Sequence, residues 1–155
     1  MPDIFIDADA CPMKAEVYRV AGRYDIKVLL VSNQPLRLPT ECRAELVVVG
    51  AGFDAADDWI AERAQAMDIV ITADIPLADR TVKKGAVVIG TNGRPFTPDN
   101  IGQALAGRAL MSDLRDMGVA SGGPRPLSPQ DRSRFLQTLD QAVQAVRRGR
   151  MPVWR

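Results

Sequence analysis

Five short apolar runs dominate this sequence: Ile4 to Ile6, Val28 to Val31, Leu46 to Val49, Ile69 to Ile71 and Val87 to Ile89. All are rich in β-branched residues, and none alternates with polar ones. A strand with one wet face alternates; a strand covered on both faces does not. Helical patterns separate several of the runs. They cover Met13 to Arg23, Ala55 to Met67 with Ile60 and Ala64 on one face, and Leu77 to Lys84. Strand and helix in alternation predict a three-layer α/β fold around a mainly parallel central sheet of about five strands.

The last third adds helices. Thr97-Pro98-Asp99-Asn100 reads as a helix start, and its pattern runs to Met117, before Gly118. Residues 118–127 are rich in Gly and Pro and read as a loop. Ser128-Pro129-Gln130-Asp131 then opens a final helix, with Ser at the cap and Pro at the first helical position. Leu136, Leu139, Val143 and Val146 form its apolar face. A length of 155 residues and an apolar content of 46% suit one domain over 1–155, with a flexible basic tail at 149–155.

The acids fall where the apolar runs stop. A buried strand cannot carry an unpaired carboxylate into the core, because desolvating it is costly. Asp7 and Asp9 after Ile4-Phe5-Ile6, and Asp74 after Ile69-Val70-Ile71-Thr72-Ala73, therefore mark carboxyl ends of strands, where α/β sheets place their sites. If the first strand continues, Asp7 and Asp9 share a face and repel unless a proton or a cation lies between them. Asp9 equally fits the N-cap of the helix opened by Cys11-Pro12. Asp54, Asp57 and Asp58 stand at the start of the second helical pattern, where a positive helix N-terminus also favours acids. Strand ends and helix starts share one edge of a parallel sheet. Asp7, Asp9, Asp57 and Asp74 are expected to converge there, with Asp79 nearby and Thr72 placed to orient a carboxylate or a phosphate.

Composition narrows the chemistry. The chain has no histidine, which excludes Ser-His-Asp and Cys-His catalysis and any His-based zinc site. Two cysteines, Cys11 and Cys42, are too few for a structural zinc cluster. Carboxylates remain as ligands, and all-oxygen sites suit magnesium or manganese. The net charge of +1 points to no partner. Asp3 and Asp7 interrupt the first apolar segment, so no signal peptide is expected, and no apolar stretch is long enough to span a bilayer. With two cysteines, this predicts a cytoplasmic protein without a Cys11–Cys42 disulfide.

The motifs D-A-D-A-C-P (7–12), G-F-D-A-A-D (52–57), D-I-V-I-T-A-D-I-P-L-A (68–78), K-G (84–85) and T-P-D-N-I (97–101) resemble the YaiI/YqxD family. The resemblance continues through the Gly-Gly-Pro loop and the Asp131-Arg132 helix start. That family is uncharacterised and related to PIN-like nucleases. The relationship implies that Asp7 matches the first-strand acid, Asp57 with Ile60 the helix D-x-x-I element, and Thr72-Ala73-Asp74 the T-x-D element. Asp79 is an additional downstream acid. The glutamate usual between the first two acids has only Glu41 and Glu45 as weak counterparts, which leaves Asp9 as a substitute ligand or the site with a single ion.

These residues predict a metal-dependent nuclease or phosphodiesterase acting on nucleic acid, RNA favoured. Asp7, Asp57 and Asp74 are its catalytic residues, and Asp7, Asp9, Asp57, Asp74 and Asp79 its magnesium or manganese ligands. Thr72, Asn33, Lys14 and Lys84 are its substrate contacts, with Lys83 and Arg80 as further phosphate-binding candidates. A second reading is a haloacid-dehalogenase-like phosphatase with Asp7 as nucleophile, Asp9 as acid, Ser32 on the phosphate, Lys83 or Lys84 as cation and Asp74 on a metal. A third is a non-catalytic RNA-binding module. Cys11 reads as a small packed residue and Trp59 as core or interface.

Overall fold

The computed structural model of the chain describes residues 2–50, 52, 55–107 and 127–154. Its strands are β1 (Ile4–Asp7), β2 (Val28–Ser32), β3 (Ala44–Val48), β4 (Ile69–Ile71), β5 (Val87–Ile89) and β6 (Pro95–Phe96). Its helices are α1 (Lys14–Tyr24), α2 (Ala55–Arg63), α3 (Ile75–Val82), α4 over 101–107, and α5 (Pro129–Arg147). The strands form one sheet in the order β3-β2-β1-β4-β5-β6. The first five are parallel, and β6 pairs antiparallel with β5. All five apolar runs are strands. The sixth strand lies outside the expectation because it is two residues long and begins with Pro, which suits only a sheet edge.

Side-chain alternation sorts the core into two layers. Ile4, Ile6, Val28, Leu30, Ile69, Ile71, Val87 and Ile89 face α1 and α5, where Val17, Val20, Phe135, Leu139 and Val143 meet them. Phe5, Leu29, Val31, Val70 and Val88 face α2 and α3, against Ile60, Ala61, Leu77, Ala78 and Val82. By the same parity, Asp7 follows Phe5 and Thr72 follows Val70, on the α2–α3 side of the sheet.

Local chemistry sets the helix ends. α5 begins with a reciprocal capping box between Ser128 and Asp131, and Pro129 fits its first turn. Thr97 and Asn100 exchange side-chain–backbone hydrogen bonds before α4. The expected end of that helix at Met117, the Gly/Pro loop over 118–126 and Asp54 lie outside the described residues. α2 stops at Arg63, short of Met67. There Lys84 Nζ donates to the Ala61 carbonyl at 2.8 Å, and the Asp68 carboxylate draws Gln65 N–H into a turn at 2.9 Å. Over its described residues the basic tail contacts the body of the protein: Gln141 donates to the Val153 carbonyl at 2.8 Å, and Trp154 packs on the core beside α5. No helix among the described residues is long and apolar enough to cross a membrane.

Candidate functional site

The sheet's connections reverse direction beside β1. From β1 the chain moves outward through β2 and β3, then returns to pair β4 on the other side of β1. Open parallel sheets bind ligands in the crevice such a reversal leaves at the carboxyl edge. Register pairs Ile6 with Ile71, so Asp7 and Thr72 come out of β1 and β4 side by side.

Thr72 ties the Asp7 carboxylate to the backbone of Asp74. Its hydroxyl donates to Asp7 Oδ2 at 3.3 Å and accepts the Asp74 backbone N–H at 2.9 Å. Asp74 caps α3, its Oδ1 accepting the Leu77 N–H at 2.9 Å, which fixes its carboxylate at the helix's positive end. Asp7 is 9% exposed. Burial raises its pKa above the ordinary carboxylate value, the Thr72 hydrogen bond opposes that, and the charges of Asp74 and Asp9 push it further up.

Asp9 does something else. The strand ends at Asp7, and residues 8–10 form a single 3₁₀ turn, so Asp9 is not on a continued strand face. Nor does it cap α1, whose N-cap is Met13 with no side-chain hydrogen bond. It reaches over the end of β2 instead. Asp9 Oδ1 lies 2.7 Å from the fully buried Ser32 Oγ, and Oδ2 accepts the Asn33 N–H at 2.8 Å. Ser32 Oγ also stands 2.7 Å from the Gln34 carbonyl. The hydroxyl that the phosphatase reading assigns to phosphate is thus committed to Asp9 and Gln34.

The other expected residues divide between the two edges. Asp57 is half-buried in the first turn of α2, on the stripe that continues into Ile60 and Ala61, at the carboxyl edge. Asp58 turns outward and pairs with Arg80 at 2.8 Å. Asp79 lies within α3 and pairs with Lys83 at 2.9 Å. Lys14 opens α1 at the right edge, but its Nζ donates to the Cys11 carbonyl at 3.1 Å. Asn33 is exposed at the end of β2, at that edge. Lys84 sits at the opposite, amino edge of the sheet, on the last carbonyls of α2. Cys11 is buried, and desolvation pushes its thiol up to about 11, consistent with a packed residue. Trp59 packs against Phe5 with the Arg63 guanidinium over its ring at 4.4 Å.

Among the described residues, no three His, Cys, Asp or Glu side chains come close enough to grip one ion. Asp7 and Asp74 lie within electrostatic reach of each other, with Thr72 bridging the Asp7 carboxylate to the Asp74 backbone. Such a pair suits magnesium, which is commonly bound through one or two carboxylates, with water and phosphate completing its shell. The sequence reading missed a cleft at the start of α3. This cleft, of about 460 Å³, opens next to Asp74, lined by Ala73, Ile75, residues 90–92, Phe96, Leu127 and Asp131. Ile89-Gly90 was legible as one more strand end. The contribution of α5 was not, because Asp131 reaches the edge only through tertiary packing.

The chain matches the family described as "Uncharacterized BCR, YaiI/YqxD family" over residues 5–145. It is 64% identical over 154 residues to a UPF0178 protein of Rhodospirillum centenum, covering 97% of this chain and 100% of that one. A UPF0178 protein of Sphingopyxis alaskensis is 59% identical over 149 residues, covering 96% and 97%. One from Nitrobacter winogradskyi is 56% identical over 146 residues, covering 94% and 93%. No solved structure matches the chain.

Proposed function

This chain belongs to the YaiI/YqxD family, and from that premise we propose that it is a magnesium- or manganese-dependent phosphodiesterase of PIN-like type acting on nucleic acid, with RNA favoured. The observation that carries the reading is the Asp7–Thr72–Asp74 arrangement at the sheet's reversal point. A buried carboxylate with a raised pKa, beside a second carboxylate, is a place where a divalent cation relieves repulsion. Asp7 and Asp74 would hold that ion, and Asp57 is the third carboxylate of the reading. When bound, such an ion neutralises phosphate charge and lowers the pKa of an attacking water. Thr72 keeps the Asp7 carboxylate in place through its hydroxyl while anchoring the start of α3 through the Asp74 N–H. The N-terminus of α3 adds a positive end toward the phosphate.

The test is hydrolysis of bis(p-nitrophenyl) phosphate and of a single-stranded RNA, with manganese and with chelator. Activity that requires the metal and disappears in Asp7→Asn and Asp74→Asn supports the reading. Metal-independent activity, or activity retained in both variants, removes it.

A further inference from the structure

Two hollows flank the turn over 90–96. The first is the cleft beside Asp74, with Phe96 and Asn92 in its wall. The second, about 520 Å³, lies on the other side of the turn and includes Arg94, Arg134 and Trp154. The turn between them is a fixed ledge. Gly93 has φ +84, and a Cβ there would come within 2.6 Å of the Phe135 backbone nitrogen on α5. Thr138 Oγ1 donates to the Gly93 carbonyl at 2.8 Å. The Arg134 guanidinium donates to the Asn92 carbonyl at 3.3 Å and to Asp131 at 3.1 Å.

The cations singled out near the carboxylates already have partners. Lys14 serves a carbonyl, Arg80 serves Asp58, Lys83 serves Asp79, and Lys84 is at the far edge. Arg94 is exposed and makes no ion pair among the described residues. The half-buried ring of Phe96 lines the first hollow, Arg94 and the half-buried ring of Trp154 line the second, and Arg94 and Phe96 stand two residues apart on the ledge. Aromatic rings near an exposed arginine suit bases and the phosphate joining them.

We propose that this ledge is a binding track for single-stranded nucleic acid leaving the carboxylate pair. One base rests on Phe96, the next phosphate meets Arg94, and a following base stacks on Trp154. The direction of the track rests on the phosphodiesterase reading; the binding surface does not.

The experiment is fluorescence anisotropy of a short labelled single-stranded oligoribonucleotide, in chelator, with the full chain. Arg94→Glu should weaken binding about tenfold or more, and Arg94→Gln should lower the salt slope by about 0.7, one phosphate's worth on a single strand. Trp154→Leu should weaken binding about 5- to 150-fold, and Trp154→Phe should restore most of it. Trp154 also packs on the core, so the exposed Arg94 variants decide the matter if Trp154→Leu fails to fold. Hydrolysis of bis(p-nitrophenyl) phosphate, too small to cross the ledge, should be unchanged in Arg94→Glu. Unaltered oligonucleotide affinity in the Arg94 variants overturns the track, as does failure of the parent protein to bind or equal binding of a duplex. A parent that cleaves nothing yet loses RNA affinity in these variants keeps the track and removes the phosphodiesterase reading. A parent that hydrolyses the small diester but binds no oligonucleotide does the reverse.

Discussion

The end of β1 carries two carboxylates with opposite fates. On the β2 side, Asp9 is exposed and fully engaged, gripping Ser32 and the Asn33 N–H at 2.7 and 2.8 Å. On the β4 side, Asp7 is buried, holds one long hydrogen bond of 3.3 Å, and faces the charge of Asp74. The first arrangement stabilises the fold by tying the loop after β1 to the end of β2. The second costs stability, because a desolvated carboxylate sits beside a like charge. Two residues of the same type, two positions apart, therefore separate a well-partnered staple from a buried carboxylate with a raised pKa.

The largest expected effect breaks this contrast at its functional end. Asp74→Asn should lower manganese-dependent phosphodiesterase activity about 100-fold or more, the loss expected when a group stabilising developing charge is removed. Its melting temperature should barely change, because Asn caps a helix about as well as Asp. A parallel assay and thermal melt read both. A large fall in melting temperature would mean that Asp74 is chiefly structural.

Asp9→Ala should do the reverse. Losing charge-assisted hydrogen bonds to Ser32 and Asn33 should cost about 2 kcal/mol, or about 4–8 °C in Tm, with specific activity per folded molecule largely kept. Activity lost without destabilisation would move Asp9 into the site.

Asp7→Asn sharpens the comparison through pH. The folded pKa of Asp7 is raised, so the stability linked to its proton is fully present below the ordinary value of 3.8 and is lost as pH rises through the folded pKa. In chelator at neutral pH the Asn variant should melt about 2–4 °C higher than the parent, the shift that about 1 kcal/mol produces in a chain of this size. The gain should vanish below pH 3.8, where both side chains are neutral. A constant difference across pH in thermal melts would show that the carboxylate charge is not its cause.

The smallest effect belongs to Asp79. Its pair with Lys83, whose side chain is 70% exposed, should contribute no more than about 0.5 kcal/mol. Asp79→Ala should leave both Tm and phosphodiesterase activity close to the parent's. A strong loss of activity would bring Asp79 back among the ligands.

How much of this was legible follows from what each residue depends on. Asp7 and Asp74 could be placed because an apolar run that stops at a carboxylate marks a strand's end, and parallel strands share one edge. The role of Asp9 could not be read, since it depends on the chain leaving β1 in a tight turn and on a serine 23 residues away. Lys84 looked like any phosphate-binding cation, yet its partners are helix-end carbonyls fixed only by packing of α2 against the stretch before β5. The pattern of Ala55 to Met67 carried no sign that Asp68 would bind Gln65 N–H and end the helix early. Local signals thus located strand ends and caps, while the partners of Asp9, Lys84 and Asp68 depended on groups that the chain brings near only when it folds.

The placement of α5 bears on how the protein is made. Its residues 129–147 leave the ribosome after all six strands, yet Phe135, Leu139 and Val143 share with α1 the covering of one face of the sheet. Until they emerge, Ile69, Ile71, Val87 and Ile89 can form strands while that layer lacks its second helix. The nascent chain therefore carries an incompletely covered apolar surface from the completion of the strands until α5 emerges, the condition under which growing chains aggregate or recruit chaperones. A stop codon ahead of residue 129 would leave the carboxylates encoded and the sheet without the layer that completes it.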